Sequence, residues 1–244
     1  MKITATIISL NEEKNIAKCL ESLREVADEI VVVDSLSKDK TQEICERYGV
    51  RFISQKFLGY AEQKNFAASF ANNDYIFSID ADEYLSEKLR LSLLKLKSSN
   101  SVMQAYYVKR LNNFWGHWIK TCGLYPDKQL RLYNKEYGEF KGKYVHESVC
   151  MQENCKTGLL EGNLMHNTFA DKESFAAQQK KYAELKAKEY AEKNKRLPLP
   201  MIYIKVAWRF FKNFVLQRGF LNGKTGLFIC KQYALYEYNK YKRK

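Results

Sequence analysis

Two aspartates separated by one alanine, Asp80-Ala81-Asp82, directly follow the apolar run Tyr75-Ile76-Phe77-Ser78-Ile79. A hard divalent cation such as Mg²⁺ or Mn²⁺ takes oxygen ligands and keeps contact with substrate phosphates, and carboxylates at this spacing suit it. One carboxylate is expected on the metal and the other on a sugar or a metal-bound water, so that charge developing on a departing diphosphate is neutralised. A bare D-x-D is common in solvated turns; a buried strand in front of it separates this one from that reading. Two further polar pairs follow apolar runs, Asn11-Glu12 and Asp34-Ser35.

Alternating elements must position these groups. Thr4–Leu10 is a β-branched apolar run that predicts a buried strand. Asn11 is expected to cap a helix over Glu12–Ala27, with Ile16, Leu20 and Leu23 at helical spacing. Glu29–Val33, Arg51–Ser54 and Tyr75–Ile79 predict further strands, and Ser37–Tyr48, Ala61–Ala71 and Ser86–Lys97 predict helices. This alternation implies right-handed crossovers and a mainly parallel sheet flanked by helices, in which ligands bind at the carboxyl ends of strands. All three acidic groups fall at such ends.

The run Ile7-Ile8-Ser9-Leu10-Asn11-Glu12-Glu13, then Val31-Val32-Val33-Asp34-Ser35-Leu36-Ser37-Lys38-Asp39-Lys40-Thr41, then Gln63-Lys64-Asn65 and Phe77-Ser78-Ile79-Asp80-Ala81-Asp82-Glu83 resembles the family 2 glycosyltransferases of the GT-A (Rossmann-like) α/β fold. The resemblance implies a UDP-sugar donor, with Asp34 on uracil or ribose and Asn11 and Glu12 near the nucleotide. It further implies Lys64 near base and phosphates, where arginine is more usual, Asp82 on the metal and Asp80 on ribose or donor sugar. Tyr125-Pro126-Asp127, Arg131-Leu132-Tyr133, Val145-His146-Glu147-Ser148-Val149, His166 and Arg218-Gly219-Phe220-Leu221-Asn222-Gly223 are similar to the lipopolysaccharide core β-1,4-glucosyltransferases of the WaaE/KdtX group. That narrower likeness implies transfer of a hexose, glucose above others, to an inner-core heptose or similar glycolipid. Transfer to polyprenyl phosphate or a capsule intermediate is the competing reading. Asn222 departs from the aspartate expected in many relatives.

Inverting transfer needs a carboxylate to take the acceptor hydroxyl proton. Glu147 resembles the family's base, against an ordinary surface glutamate; Asp127 is its rival, against a cap for the turn after Pro126. The resemblance places a further metal or diphosphate contact at His166. Arg131 suits bidentate contact with a diphosphate, or a structural salt bridge. Sugar faces stack on aromatic rings, which makes Trp115 and Trp118 acceptor candidates, with His146 approaching from the same side.

Charge is unevenly distributed. Residues 1–171 hold 23 Lys/Arg and 23 Asp/Glu, whereas residues 172–244 hold 18 and 5 and so carry the whole formal charge of +13. The expected organisation is a catalytic domain over 1–171, with a nucleotide-sugar half to about 98 and an acceptor half over 99–171, then a basic helical extension over 172–244. Helices are predicted over Lys172–Arg196 and Met201–Gln217, the latter with Lys205, Arg209 and Lys212 along one stripe. Basic, aromatic helices of this kind lie on anionic membranes. A nucleic-acid role would leave Asp34 and the aspartate pair without a task, so no nucleic-acid partner is expected. The first apolar run is too short for a signal peptide, no uncharged run reaches the roughly 18 residues of a spanning helix, and six cysteines are scattered. The expectation is a cytoplasmic protein, peripheral on the inner face of the cytoplasmic membrane.

Overall fold

A computed structural model describes residues 1–99, 102–142, 147–195 and 197–241. Strand β1 (Ile3–Ser9) pairs in parallel with β2 (Glu29–Asp34) and β4 (Tyr75–Asp80), and β2 pairs in parallel with β3 (Arg51–Ser54). Helices α1 (Ile16–Leu23), α2 (Thr41–Arg47) and α3 (Tyr60–Ser69) make the crossovers. Ile3, Ala5, Ile7 and Val31–Val33 are fully buried because helices cover both faces. Along β2 the faces alternate: Val32 packs with Ile16, Leu20 and Leu23 of α1, whereas Val31 and Val33 pack with Ala67 of α3.

The expected mainly parallel sheet holds only for this half. After β4 the order continues through β8 (Asp127–Asn134), β6 (Ala105–Phe114), β11 (Thr157–Phe169) and β5 (Glu83–Leu85), with β7 (His117–Ile119) paired to β6. The β4–β8, β8–β6, β6–β7 and β11–β5 pairs are antiparallel, so the sheet is mixed. No crossover helix intervenes between β6, β7 and β8, and short returns of that kind permit only antiparallel pairing. A separate antiparallel ribbon joins β9 (Gly138–Lys141) to β10 (Ser148–Met151). Helix α4 (Glu87–Lys97) starts where Ser86 Oγ accepts from the Leu89 N–H at 3.3 Å.

Two compact units result. The first comprises 1–110 and 127–166; the second comprises 111–126 and 167–244. The second unit therefore includes the β7 hairpin as well as α5 (Lys172–Glu192), α6 (Leu199–Phe211) and α7 (Gly223–Asn239), a division that charge alone does not reveal. Its core gathers Phe114, Ile119, Cys122, Phe175, Ile229 and Cys230. Among the described residues no helix is long and apolar enough to cross a membrane.

The first helix begins later than expected. Asn11 adopts a left-handed backbone (φ 56°), and its Oδ1 accepts from the Lys38 N–H at 2.9 Å instead of capping α1. Residues 12–15 form a turn, and helix starts at Ile16. Likewise Ser37 and Asp39 serve the loop before α2: Asp39 Oδ1 accepts from the Thr41 N–H at 3.0 Å, and the helix begins at Thr41.

Candidate active site

Helix α3 brings three adjacent polar side chains to three different places. Gln63 Oε1 accepts from the Leu58 N–H, and its Nε2 donates to Ser35 Oγ, which ties down the loop before the helix. Asn65 grips Phe140 on β9 in both directions, donating to its carbonyl at 2.9 Å and accepting from its N–H at 2.8 Å. Between them Lys64, only 4% exposed, sends Nζ to within 3.0 Å of Asp80 Oδ1 and donates to Glu147 Oε1 at 3.1 Å. The Asp80 contact is a close ion pair. Glu147 lies immediately before β10, so the ribbon held by Asn65 also carries the carboxylate held by Lys64.

Beyond Asp80 the charges continue as an alternating chain. The Arg131 Nη2 group donates to Asp80 Oδ2 at 2.9 Å and to Glu83 Oε1 at 2.7 Å. Glu83 is fully buried; its Oε2 accepts from the Asp80 N–H at 3.0 Å, and Arg110 Nη1 lies 3.5 Å from Oε1. The Arg110 Nε then donates to Asp127 Oδ2 at 2.9 Å, and Gln129 Nε2 donates to Oδ1 at 2.6 Å. Burial alone would raise the Asp80 pKa, but the Arg131 and Lys64 charges outweigh it and hold the carboxyl far below the usual range.

Asp82 points elsewhere. The antiparallel pairing of β11 with β5 sets His166 opposite Glu83 and brings His166 Nε2 to 3.1 Å from Asp82 Oδ2. Burial works against a charge on this imidazole, yet the hydrogen bond to Asp82 and the Asp82 charge raise its pKa. A carboxylate and an imidazole this close could supply two of the roughly six donors of an octahedral divalent cation, the rest coming from phosphate and water oxygens, and imidazole favours Mn²⁺ over Mg²⁺. The surrounding field agrees. Burial pushes the Glu12 carboxyl up against the pull of Asn15, and the Asp82, Asp39 and Asp80 charges add to the rise. Among the described residues no group of three or more His, Cys, Asp or Glu side chains gathers as a metal cage.

The remaining expected residues are placed as follows. Asp34, at the end of β2, is 2% exposed, and its Oδ2 accepts from Ser9 Oγ at 2.8 Å and Ser37 Oγ at 2.6 Å. Glu12 Oε2 accepts from Asn15 Nδ2 at 2.8 Å. Arg131 makes the structural salt bridges that stood as the alternative to a diphosphate contact. In the second unit the Trp115 ring packs with Phe114, Phe175 and Phe228 at centroid distances of 5.7, 6.2 and 5.8 Å, while Trp118 is half-buried on β7. His146 lies outside the described residues.

Against this geometry the comparisons are decisive about family. The model of Glycosyl transferase family 2 matches residues 4–157, the stretch that holds every charged group in the chain above. The chain is a family 2 glycosyltransferase. An uncharacterized glycosyltransferase of Rickettsia typhi is 31% identical to it over 234 residues, covering 92% of this chain and 80% of the relative. The lipopolysaccharide core biosynthesis glycosyltransferase LpsC of Rhizobium meliloti is 32% identical over 202 residues, covering 80% and 74%. Among solved structures, S. aureus TarS 1–349 in complex with UDP aligns with 91% of this chain and 75% of its own at 18% identity and a TM-score of 0.46.

Two residues of this glycosyltransferase's site escape sequence reasoning. Glu83 is visible as the last member of Asp80-Ala81-Asp82-Glu83, but nothing in the run says that it turns inward to meet two arginines. Arg110 sits in Tyr106-Tyr107-Val108-Lys109-Arg110-Leu111, where its neighbour Lys109 carries the same charge. Its place beside the apolar run Ala105-Tyr106-Tyr107-Val108 is the one available signal for it, and Lys109 shares that place. The family 2 motif thus rests on counter-ions drawn from β6 and β8, more than twenty residues downstream.

Proposed function

We propose that this glycosyltransferase moves a hexose, glucose above others, from a UDP-sugar to a lipopolysaccharide inner-core heptose or similar glycolipid, with inversion and with a divalent cation at Asp82 and His166. The observation that carries the reading is the division of labour at the end of β4. Asp80 is held by Lys64 and Arg131, while two residues on Asp82 pairs with His166. The bound cation would neutralise charge on the departing diphosphate. The acceptor oxygen attacks the anomeric carbon in line as the carbon–oxygen bond to the diphosphate breaks, and the diphosphate leaves with the electron pair. Glu147 takes the hydroxyl proton. It suits this role better than Asp127, because Arg110 and Gln129 engage both Asp127 oxygens, whereas Lys64 orients Glu147 through Oε1.

Asp34, Asn11, Glu12, Lys64 and Asp80 bind the donor in this reading, and Trp118 and His146 are candidates for acceptor contact. The LpsC relative, named for lipopolysaccharide core biosynthesis, supports the acceptor class. The basic extension supports peripheral contact with an anionic membrane, where a lipid-anchored acceptor would be met, on the cytoplasmic side. The domain reading is correspondingly a catalytic unit joined to a membrane-facing helical unit.

The test is a donor screen: hydrolysis of UDP-glucose, UDP-galactose and UDP-GlcNAc with Mn²⁺, with chelator, and with Asp82→Ala. The expected outcome is metal-dependent turnover that falls about a hundredfold or more in the variant. Turnover without metal, or full activity in Asp82→Ala, overturns the reading.

A further inference from the structure

In the second unit, α6 packs on α7 through one face and leaves the other bare. Ile202 and Phe210 line the packed side, with Val206 half-buried between them, and the buried Asn213 follows in the next turn. Met201, Ile204, Trp208, Phe211 and Val215 alternate at spacings of three and four and are all exposed, Ile204 by 62% and Trp208 by 56%. At about 100° per residue the four of these in α6 span an arc of roughly 80°, centred about 180° from the packed face, and Val215 follows in the π-helical turn. The Trp208 and Phe211 rings run along the stripe with centroids 6.0 Å apart. After the π-helical turn Lys212–Leu216, the 3₁₀ turn Gly219–Asn222 extends the apolar surface with Phe220 and Leu221, 49% and 64% exposed.

Large apolar residues at strict helical spacing, outward and contiguous, call for an apolar partner. Charge decides which. Residues 199–224 contain Lys205, Arg209, Lys212, Arg218 and Lys224 and no aspartate or glutamate. The expected single stripe of three cations is corrected here. Arg209 turns inward, its guanidinium 5.4 Å from the Tyr233 ring centroid, while Lys205 and Lys212 remain exposed on one flank of the apolar arc. A second copy docked stripe to stripe would oppose like charges, with no carboxylate in the segment to neutralise them. An anionic bilayer offers both complements, phosphates for the lysines and acyl chains for the rings.

We propose that this face is a lipid-embedding surface. Helix α6 lies in the plane of the interface, with Ile204, Trp208 and Phe211 among the acyl chains and Phe220-Leu221 as a wedge beyond its end. Lys205, Lys212, Arg218 and Lys224 meet lipid phosphates. The inference rests on the membrane contact proposed above and adds that apolar insertion, rather than the lysines alone, holds the protein there.

The experiment is flotation of the full-length protein with vesicles of phosphatidylcholine, alone or mixed with phosphatidylglycerol, at low and high salt. The wild type should bind the mixed vesicles and retain part of that binding at high salt. Changing Ile204→Ser, Trp208→Ser and Phe211→Ser together should lower partitioning by about tenfold or more at either salt. Lys205→Gln with Lys212→Gln should weaken it chiefly at low salt. Brominated acyl chains should quench tryptophan emission in the wild type and lose most of that quenching in Trp208→Phe. Far-UV circular dichroism and UDP-sugar hydrolysis should be unchanged in the triple variant, which touches no residue of the donor site. A triple variant that floats like wild type overturns the embedding surface and leaves membrane contact standing. Wild type that fails to float with anionic vesicles overturns both. Loss of self-association by light scattering, with flotation intact, identifies a second copy as the occupant and overturns the proposal.

Discussion

Replacing Arg131 with methionine tests how the site is held together. Arg131 is 4% exposed, and its guanidinium donates through one nitrogen to Asp80 at 2.9 Å and Glu83 at 2.7 Å. Its removal leaves two carboxylates facing an apolar side chain. Charge-assisted hydrogen bonds contribute about 1.5–3 kcal/mol each, and breaking a buried ion pair from one side costs about 3–5 kcal/mol. Lys64 stays at 3.0 Å from Asp80 and Arg110 at 3.5 Å from Glu83, which keeps the loss within that range instead of doubling it. The expected destabilisation is about 4 kcal/mol at neutral pH, or roughly 10 °C in midpoint for a chain of this size. A pH signature accompanies it. The Asp80 pKa is depressed in the folded state, so its stabilisation is complete above the unfolded value near about 3.9 and is lost as pH falls toward the folded value. Removing Arg131 lets the folded value climb, so the variant has less to lose in acid. Urea unfolding followed by circular dichroism at neutral pH and at about pH 2 should show a gap that narrows on acidification. An unchanged neutral midpoint, or a gap that stays constant, would refute the network as described. Arg131→Lys, which keeps charge but loses the planar fork, should fall between the two.

Two further outcomes follow from particular contacts. His166→Asn should raise the Mn²⁺ concentration needed for half-maximal UDP-sugar hydrolysis by about 10–100-fold, with little change in unfolding midpoint; an unaltered metal requirement would remove His166 from the cation site. Gly162 has φ 92°, and an added Cβ would run into the backbone of Lys88 and Leu89. Gly162→Ala should therefore cost at least about 2 kcal/mol in thermal or urea unfolding, and a neutral substitution would mean that β11 does not approach α4 so closely.

Legibility in the sequence followed locality. The four parallel strands are short apolar runs whose ends carry polar residues, and each needs only its own pattern to be recognised; Arg51–Ser54 is found where it is expected. Asp80 and Asp82 are readable for the same reason. Their counter-ions are readable only in part: Arg131 is legible as a salt-bridge former, but its partners and the whole role of Arg110 are not, because both arrive from strands whose antiparallel pairing depends on contacts far apart in the chain. The same holds for the unit division: the segment 111–126 has no compositional mark, yet Phe114, Ile119 and Cys122 bury themselves among side chains contributed by residues 169–233. Helix starts were misplaced where a side chain had two uses. Asn11 and Ser37 are both sound caps by type, and both are drawn into holding the loops at the ends of β1 and β2.

Helix α3 has a consequence of another kind. Gln63, Lys64 and Asn65 are consecutive, so they leave the helix axis in directions about 100° apart, and each engages a separate body: a loop, an ion cluster and a ribbon. Together they act as a pawl that admits one rotational setting. Inserting or deleting a single residue just before Gln63 would turn all three out of register at once, releasing Glu147 and Phe140 together with Asp80. Length variation should therefore be tolerated poorly in the first turn of α3, residues 60–62, next to a loop that is open to solvent at Phe57 and Leu58. The register of that turn constrains the chemistry as firmly as the identity of any residue in it.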